Sequence, residues 1–299
     1  MADTACATLI IPAAVRESAI ASLGAYFEPL NHVDRRVLGD DHVNPQRYLR
    51  NIEALDAAVA LHGKRVLEIG AGYGVSLALM LKHFHADAVG VEPASAGFDA
   101  SFKCALAVLD ANGLDSSRVI DASGEALPFA DQSFDIVYSN NVLEHTQRPE
   151  QVLREALRVL RPGGTLYVEV PNYLSYYEGH YMIPQPPILW RGLLAGWVKW
   201  VYRRDAAFAR TLRTEINPIW LKRTLRGIAR TYPLQVRTLG EASFLERLAR
   251  PFEFQTDAVR GAAHGAIRVI QSLNVGNWIG RLIVTLKGHY PIILIAIRR

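Results

Sequence analysis

The sequence predicts an α/β fold, a parallel sheet with helices on both faces. Two observations predict it: a glycine-rich strand–turn–helix junction, and the alternation of short apolar runs with longer segments of helical period that follows it. The junction is Val66-Leu67-Glu68-Ile69-Gly70-Ala71-Gly72-Tyr73-Gly74-Val75. An apolar, β-branched lead-in surrounds an acidic residue, and three glycines follow at alternate positions. Glycine suits such a turn because it tolerates positive φ and lets a ligand approach the backbone. A helix starting at Val75 directs its first free N–H groups at the turn, where they favour a carboxylate or phosphate.

Ahead of the junction, residues 14–62 read mostly as helix. Ala14–Leu23 is one segment and Pro45–Ala60 another. The second has Asn44 as its cap and Pro45 in the first helical position. Its Leu49, Ile52, Leu55 and Val59 recur at three and four residues and form one buried stripe. From residue 64, strands are predicted at 65–69, 88–92, 117–121, 134–138 and 164–170. Helices are predicted at 74–84, 96–112 and 149–160, with a short turn near 141–145. Such alternation builds a parallel sheet with helices packed on it. After Pro171-Asn172 the regular order breaks, and residues 173–216 are rich in aromatic and basic side chains. Pro218–Arg230 reads as a helix capped by Asn217, Gln235–Leu239 as a strand, 260–286 as largely helical, and Tyr290–Ile297 as a last strand apolar on both faces.

Half of the 299 residues are hydrophobic, ample for a large core. Cys6 and Cys104 are the only cysteines. They make neither a disulfide framework nor a zinc site, which suits a reducing cytoplasm. Met1–Ala14 carries Asp3 and no basic flank, unlike a secretory signal. No run of about 18 uncharged apolar residues occurs, so no transmembrane helix is expected. Charge is asymmetric: residues 61–180 hold 9 Lys/Arg against 15 Asp/Glu, whereas residues 181–260 hold 14 against 6. A basic surface attracts an anionic substrate, a lipid headgroup or nucleic acid, unless its charges merely face solvent.

The junction differs from a dinucleotide fingerprint. That pattern is G-x-G-x-x-G, and here Val75 stands where its last glycine belongs, while Glu68 precedes the turn. Further motifs follow in order: Ala88-Val89-Gly90-Val91-Glu92-Pro93, then Ser123-Gly124-Glu125-Ala126-Leu127-Pro128-Phe129. Next come Ser133 to His145, ending in Val142-Leu143-Glu144-His145, and Leu157-Arg158-Val159-Leu160-Arg161-Pro162-Gly163-Gly164-Thr165-Leu166. The E-x-G-x-G form resembles motif I of class I S-adenosylmethionine (SAM) methyltransferases. Over residues 45–172 the succession resembles the methyltransferase family that includes the ubiquinone and menaquinone pathway enzymes. The resemblance implies a Rossmann-like, seven-stranded, mostly parallel sheet, its last two strands forming the antiparallel end, with a helical and aromatic insertion after the fifth strand. It implies four regions: an N-terminal helical cap (1–62), a SAM-binding core (63–172), a substrate-side insertion and helix (173–232), and a C-terminal part completing the sheet (233–299).

The resemblance also assigns cofactor roles by position. Gly70, Gly72 and Gly74 form the turn around SAM, and Glu68 organises that turn or reaches the cofactor's amino group. Glu92, about 20 residues past the turn, accepts the ribose hydroxyls. Ser123, Gly124, Glu125 and Ala126 line the adenine, with Ser123 replacing the common Asp, and Asn140 faces the methionyl end. In relatives that methylate quinone precursors, two carboxylates and the equivalent of His145 resemble a metal site. Here the first acidic position is Asn141, which removes a hard anionic ligand, so no metal is expected. His145 then either orients its segment or acts as a base. His180, in Tyr176-Tyr177-Glu178-Gly179-His180-Tyr181, is the other catalytic candidate, with Glu178 able to polarise it. That stretch also resembles an E-x-H-Y segment of methyltransferases of bacterial glycan and cell-envelope biosynthesis. The alternative for His180 is an aromatic loop packed on the core.

Residues 188–204 place Trp190, Leu193, Leu194, Trp197, Trp200 and Val201 on one predicted helical stripe, opposite Arg191, Lys199 and Arg203. Such a helix suits a membrane interface, a cleft lid, a homodimer surface or plain core. The expected activity is therefore SAM-dependent methyl transfer to a hydroxyl of a small molecule or of a glycan or lipid-linked intermediate, in the cytoplasm or at the inner membrane face. A non-catalytic SAM-binding protein is the alternative. An RNA methyltransferase is the other, but nucleic acid is not expected: no Asn-Pro-Pro-Tyr motif follows the fourth strand, and no RNA-binding module is recognisable.

Overall fold

The computed structural model describes residues 9–27, 35–95, 99–181, 183–188, 190–249 and 276–299. The predicted helical stretches at 96–98 and 260–275 lie outside the described residues. The strands of the main sheet are β1 (Arg65–Ile69), β2 (Asp87–Val91), β3 (Val119–Ile120), β4 (Phe134–Asn140) and β5 (Leu160–Val170), followed after a two-stranded hairpin, β6 (Tyr177–Glu178) and β7 (Ile183–Pro184), by β8 (Leu234–Thr238) and β9 (Ile292–Arg298). Their order is β3-β2-β1-β4-β5-β9-β8. The first five pair in parallel, and β9 runs antiparallel to both β5 and β8. The seven-stranded, mostly parallel sheet is the one the family resemblance implies.

Helices cover both faces, and strand alternation divides the core between them. Leu67 and Ile69 of β1, with Ile292, Leu294 and Ala296 of β9, join one buried cluster. Val66, Ile293 and Ile295 join the other. The first cluster takes in α6 (Pro149–Val159) through Val152, Leu153, Ala156 and Leu157, and α8 (Pro218–Ile228) through Leu221, Leu225 and Ile228. The second takes in α1 (Ala13–Phe27), α3 (Pro45–Val59), α4 (Val75–Lys82) and α5 (Asp99–Ala111). Asn44 caps α3 by accepting the Gln46 N–H, and Leu49, Ile52 and Leu55 are buried. Asn217 caps α8 by accepting from Ile219 and Trp220. The remaining helices among the described residues are α2 (Arg35–His42), α7 (Arg191–Gly196), α9 (Gly240–Ala249) and α10 (Gly276–Thr285).

Three predictions are corrected. β3 is shorter than 117–121, because Ser116–Arg118 forms a 3₁₀ turn capped by the Asp115 carboxylate. β5 begins before residue 164: Leu160 pairs with Phe134, the register shifts, and pairing resumes at Ile136↔Thr165. The stripe over 188–204 is divided. α7 lasts six residues and gives way to a π turn at Trp197–Val201. α7 buries Leu194 and Ala195 and the π turn buries Val198, while Trp190, Trp200 and Val201 stand at 60%, 76% and 53% exposure. Trp197 Nε1 and Tyr202 Oη fasten the segment to the Pro184 carbonyl at 2.9 and 3.0 Å.

Candidate active site

The site begins where β1 ends. Gly70, Gly72 and Gly74 have φ of 79°, 53° and 77°, all in the left-handed region glycine favours. Two of them are also constrained by packing. A Cβ on Gly70 would lie 2.3 Å from Val142 Cγ2, and one on Gly74 would lie 2.8 Å from Ala105 Cα. A Cβ on Gly72 meets nothing within 4 Å. The middle of the turn therefore faces open space at the carboxyl edge of the sheet, where open α/β sheets bind ligands.

Two buried carboxylates flank that space. Glu92 Oε2 accepts the Gly72 N–H at 2.9 Å. Burial raises its carboxyl to about 7, although the Gly72 bond opposes the rise. Glu68 accepts a hydrogen bond from Ser76 Oγ of α4. Burial lifts it to about 8, against the Ser76 bond and with a further push from Glu92. Glu68 Oε2 is buried with no hydrogen-bond partner among the described residues, and so is Asn140 Oδ1 at the end of β4. Asn140 Nδ2 donates to Tyr138 Oη at 3.1 Å. An open glycine turn with two acceptors left over matches a ligand carrying an amino group and sugar hydroxyls.

The Ser123–Ala126 segment closes the same edge. Ala126 N donates to the Ser123 carbonyl at 3.0 Å, and Glu125 N to Ser123 Oγ at 3.2 Å. Gly124 lets this loop approach β1, since a Cβ there would sit 2.7 Å from Ile69 Cγ2. The Glu125 carboxylate is used structurally: Oε1 accepts from the Gln147 and Arg148 N–H groups, and Oε2 from Arg148 Nε.

A second cluster stands beside the turn, joined to it by Val142. Leu143–His145 forms a 3₁₀ turn after β4. Arg213 braces it, donating its N–H to the Glu144 carbonyl at 2.9 Å and Nε–H to the Thr146 carbonyl at 2.6 Å. His180 arrives from the β6–β7 hairpin. Its Nδ1 bonds Glu178 Oε1 at 2.7 Å, and Glu178 Oε2 is held by the Tyr181 N–H at 2.6 Å. His180 Nε2 lies 3.3 Å from His145 Nε2. Phe208 packs against both rings, its centroid 5.9 and 5.4 Å from theirs.

Electrostatics assign the proton in this pair. Burial pulls His180 down, but the Glu178 charge and hydrogen bond, helped by Glu144, leave it above the usual histidine range. Burial and the neighbouring His180 charge push His145 down to about 3. Of the two rings, His180 is the one whose surroundings favour an added proton, and its Nε2 faces that of His145. The sequence treats the two histidines as separate candidates; the fold places them in contact. Phe208 has no sequence signal marking it for this site. His42 is likewise unmarked, yet burial, Arg47 and the His180 charge lower it to about 4. Its ring stands 5.7 Å from that of Tyr73 in the glycine turn, and Ser22 of α1 bonds Tyr73 Oη at 2.8 Å. The N-terminal helices thus reach the edge of the site.

Comparison with known proteins agrees with this geometry. Residues 67–168 match the family model described as a methyltransferase domain. A methyltransferase described as uncharacterized from Mycobacterium avium (strain 104) is 39% identical over 124 residues, covering 40% of this chain and 44% of the relative. One from Mycobacterium tuberculosis (strain H37Ra) is 34% identical over 161 residues, covering 49% and 60%. The chain spans about half the length of these curated relatives. A solved structure of Haemonchus contortus phosphoethanolamine N-methyltransferase 2 in complex with SAM superposes with a TM-score of 0.55, at 16% identity, over 93% of this chain and 57% of that one. Another structure of the same enzyme gives 0.52 over 83% and 52%. Residues 67–168 are a methyltransferase domain, and the fold around them is that of the solved methyltransferases.

Proposed function

We propose that this chain is a SAM-dependent methyltransferase acting on a hydroxyl of a small molecule or of a glycan or lipid-linked intermediate. The observation that carries the reading is the open Gly72 face between buried Glu68 and Glu92, with a histidine pair at the same edge of the sheet. SAM, when bound, supplies a methyl group already activated by a positive sulfur. The residues that would hold it are the three glycines, Glu68, Glu92, Asn140 and the Ser123–Ala126 segment. Glu92 offers its carboxylate to the sugar, and the free oxygens of Glu68 and Asn140 suit an ammonium group.

The chain's remaining work is to orient an acceptor and take its proton. Holding the acceptor in line supplies much of the rate of such a displacement. The Glu178–His180 pair supports the hydroxyl assignment. In its neutral form His180 can accept a proton from a hydroxyl, with Glu178 stabilising the resulting imidazolium. The exposed Trp190, Trp200 and Val201, beside Lys199 and a groove lined by Gly192, Gly196 and Arg210, support peripheral contact with an anionic membrane surface. That favours a lipid-linked acceptor.

Two measurements test the reading. Calorimetry with SAM and its demethylated product is expected to give saturable binding of both. Incubation with methyl-labelled SAM and fractionated cell extract is expected to label an oxygen-methylated product. Absence of SAM binding would overturn the proposal. Binding without turnover on any fraction would favour the non-catalytic alternative.

A further inference from the structure

We propose that Glu144, His145 and His180 form a binding site for one divalent transition-metal ion of the zinc class. One ligand atom from each lies within 4.8 Å of the others. The two Nε2 atoms are 3.3 Å apart. Two imidazoles on one tetrahedral zinc, with bonds of about 2.0–2.1 Å, place their nitrogens roughly 3.3 Å from each other. His145 Nε2 is 3.9 Å from Glu144 Oε1, close enough for small rotations to bring the carboxylate onto the same centre.

The independent observation is Glu144 itself. Its side chain is fully buried, and neither carboxylate oxygen has a hydrogen-bond partner among the described residues. A buried, unsatisfied carboxylate is costly unless it is paired or coordinates a metal. A cation between Glu144 and the two imidazoles removes that cost. It also accounts for two histidines presenting the same ring nitrogen to each other.

The surroundings match a metal site beyond its ligands. Glu178 accepts from His180 Nδ1, fixing Nε2 as the ligand atom, and the Tyr181 N–H fixes Glu178 in turn. A carboxylate behind a ligating histidine is the usual outer partner of such sites. Two imidazoles and one carboxylate favour zinc-class ions over magnesium or calcium, which prefer all-oxygen shells. The histidine side chains keep 24% and 21% exposure, so one side of the cluster stays open. The sequence argument against a metal rests on Asn141. The fold supplies a different donor, His180, 35 residues from His145. With the ion bound, His180 is a ligand and no longer a base; the use of the open position to ionise an acceptor hydroxyl in its place rests on the proposed methyl transfer, and the cation site does not.

The test uses the full chain, stripped with a chelator and desalted. Titration with zinc chloride is expected to give one saturable site per chain, and magnesium at the same concentration none. Cobalt(II) in the unmodified protein is expected to give the visible absorption of a low-coordinate nitrogen–oxygen site. Glu144→Gln and His180→Ala should weaken zinc at least 100-fold. Glu178→Gln should weaken it by roughly 10- to 100-fold through the outer shell, with SAM affinity retained. Failure of the unmodified chain to bind zinc or to give the cobalt spectrum would overturn the site, whatever the variants' folding. So would zinc affinity unchanged in folded His180→Ala. SAM binding by a chain that takes no zinc would overturn the cation site alone; zinc binding by a chain that takes no SAM would overturn methyl transfer and leave the site standing.

Discussion

Alanine at Gly72 and alanine at Gly74 should act differently, although the two glycines are separated by one residue. Both have positive φ, 53° and 77°. A left-handed L-residue costs about 1–2 kcal/mol, so each variant carries at least that. At position 74 the new Cβ would lie 2.8, 3.0 and 3.1 Å from the Cα, Cβ and carbonyl oxygen of Ala105 in α5. Backbone cannot rotate aside as a side chain can, and overpacking of this kind adds about 1–3 kcal/mol. Gly74→Ala should therefore lose about 2–5 kcal/mol of stability. At position 72 the methyl meets nothing within 4 Å. Gly72→Ala should lose only the conformational part, about 1–2 kcal/mol. It should nevertheless weaken SAM by at least tenfold, because the methyl occupies the space the ligand needs. Urea unfolding gives the stabilities and calorimetry gives the affinities. Equal destabilisation by the two variants would refute the packing argument, and wild-type SAM affinity in Gly72→Ala would refute the assignment of the turn.

Glu92→Ala should weaken SAM by roughly 100-fold or more, as expected for losing charged hydrogen bonds to two hydroxyls; unchanged affinity in calorimetry would remove Glu92 from the ribose. Burial raises the Glu68 carboxyl from 4.5 to about 8. The native chain therefore holds a proton that the unfolded chain has lost between those pH values. This contribution to stability is fully present below about pH 4.5 and is lost as pH rises through about 8, by up to about 4–5 kcal/mol. Glu68→Gln should flatten that slope in urea titrations at pH 5 and pH 8.5, and an unaltered slope would show that Glu68 ionises freely in the fold. Trp200, the most exposed of the large apolar side chains described, stacks beside Lys199 Nζ at 5.0 Å. Trp200→Ala should reduce sedimentation with anionic vesicles several-fold and leave SAM affinity unchanged, and equal sedimentation would argue against membrane contact.

Several parts of the fold were legible because their causes are local. The Asn44 and Asn217 caps lie within three residues of the N–H groups they satisfy. The α3 stripe follows from helical period alone. The early start of β5 was not legible, since Arg161-Pro162-Gly163-Gly164 reads as a turn and is drawn into the strand only by pairing across a bulge with β4. The stripe over 188–204 misled because periodicity assumes an α-helix. The chain passes into a π turn at Trp197, and every later side chain rotates relative to the expected face.

The seven-strand count came from the family resemblance; by itself the sequence determined the strand–turn–helix junction, the alternation of strands and helices and the carboxylates beside the glycine turn. These follow from dihedral preference, period and spacing over a few residues. Only the tertiary structure decided that His145 and His180 touch, that the Glu144 carboxylate is buried with no hydrogen-bond partner among the described residues, and that Gly74 rather than Gly72 presses on a helix. Each of those depends on which distant segments the packed sheet brings into contact, and no short window of sequence encodes that.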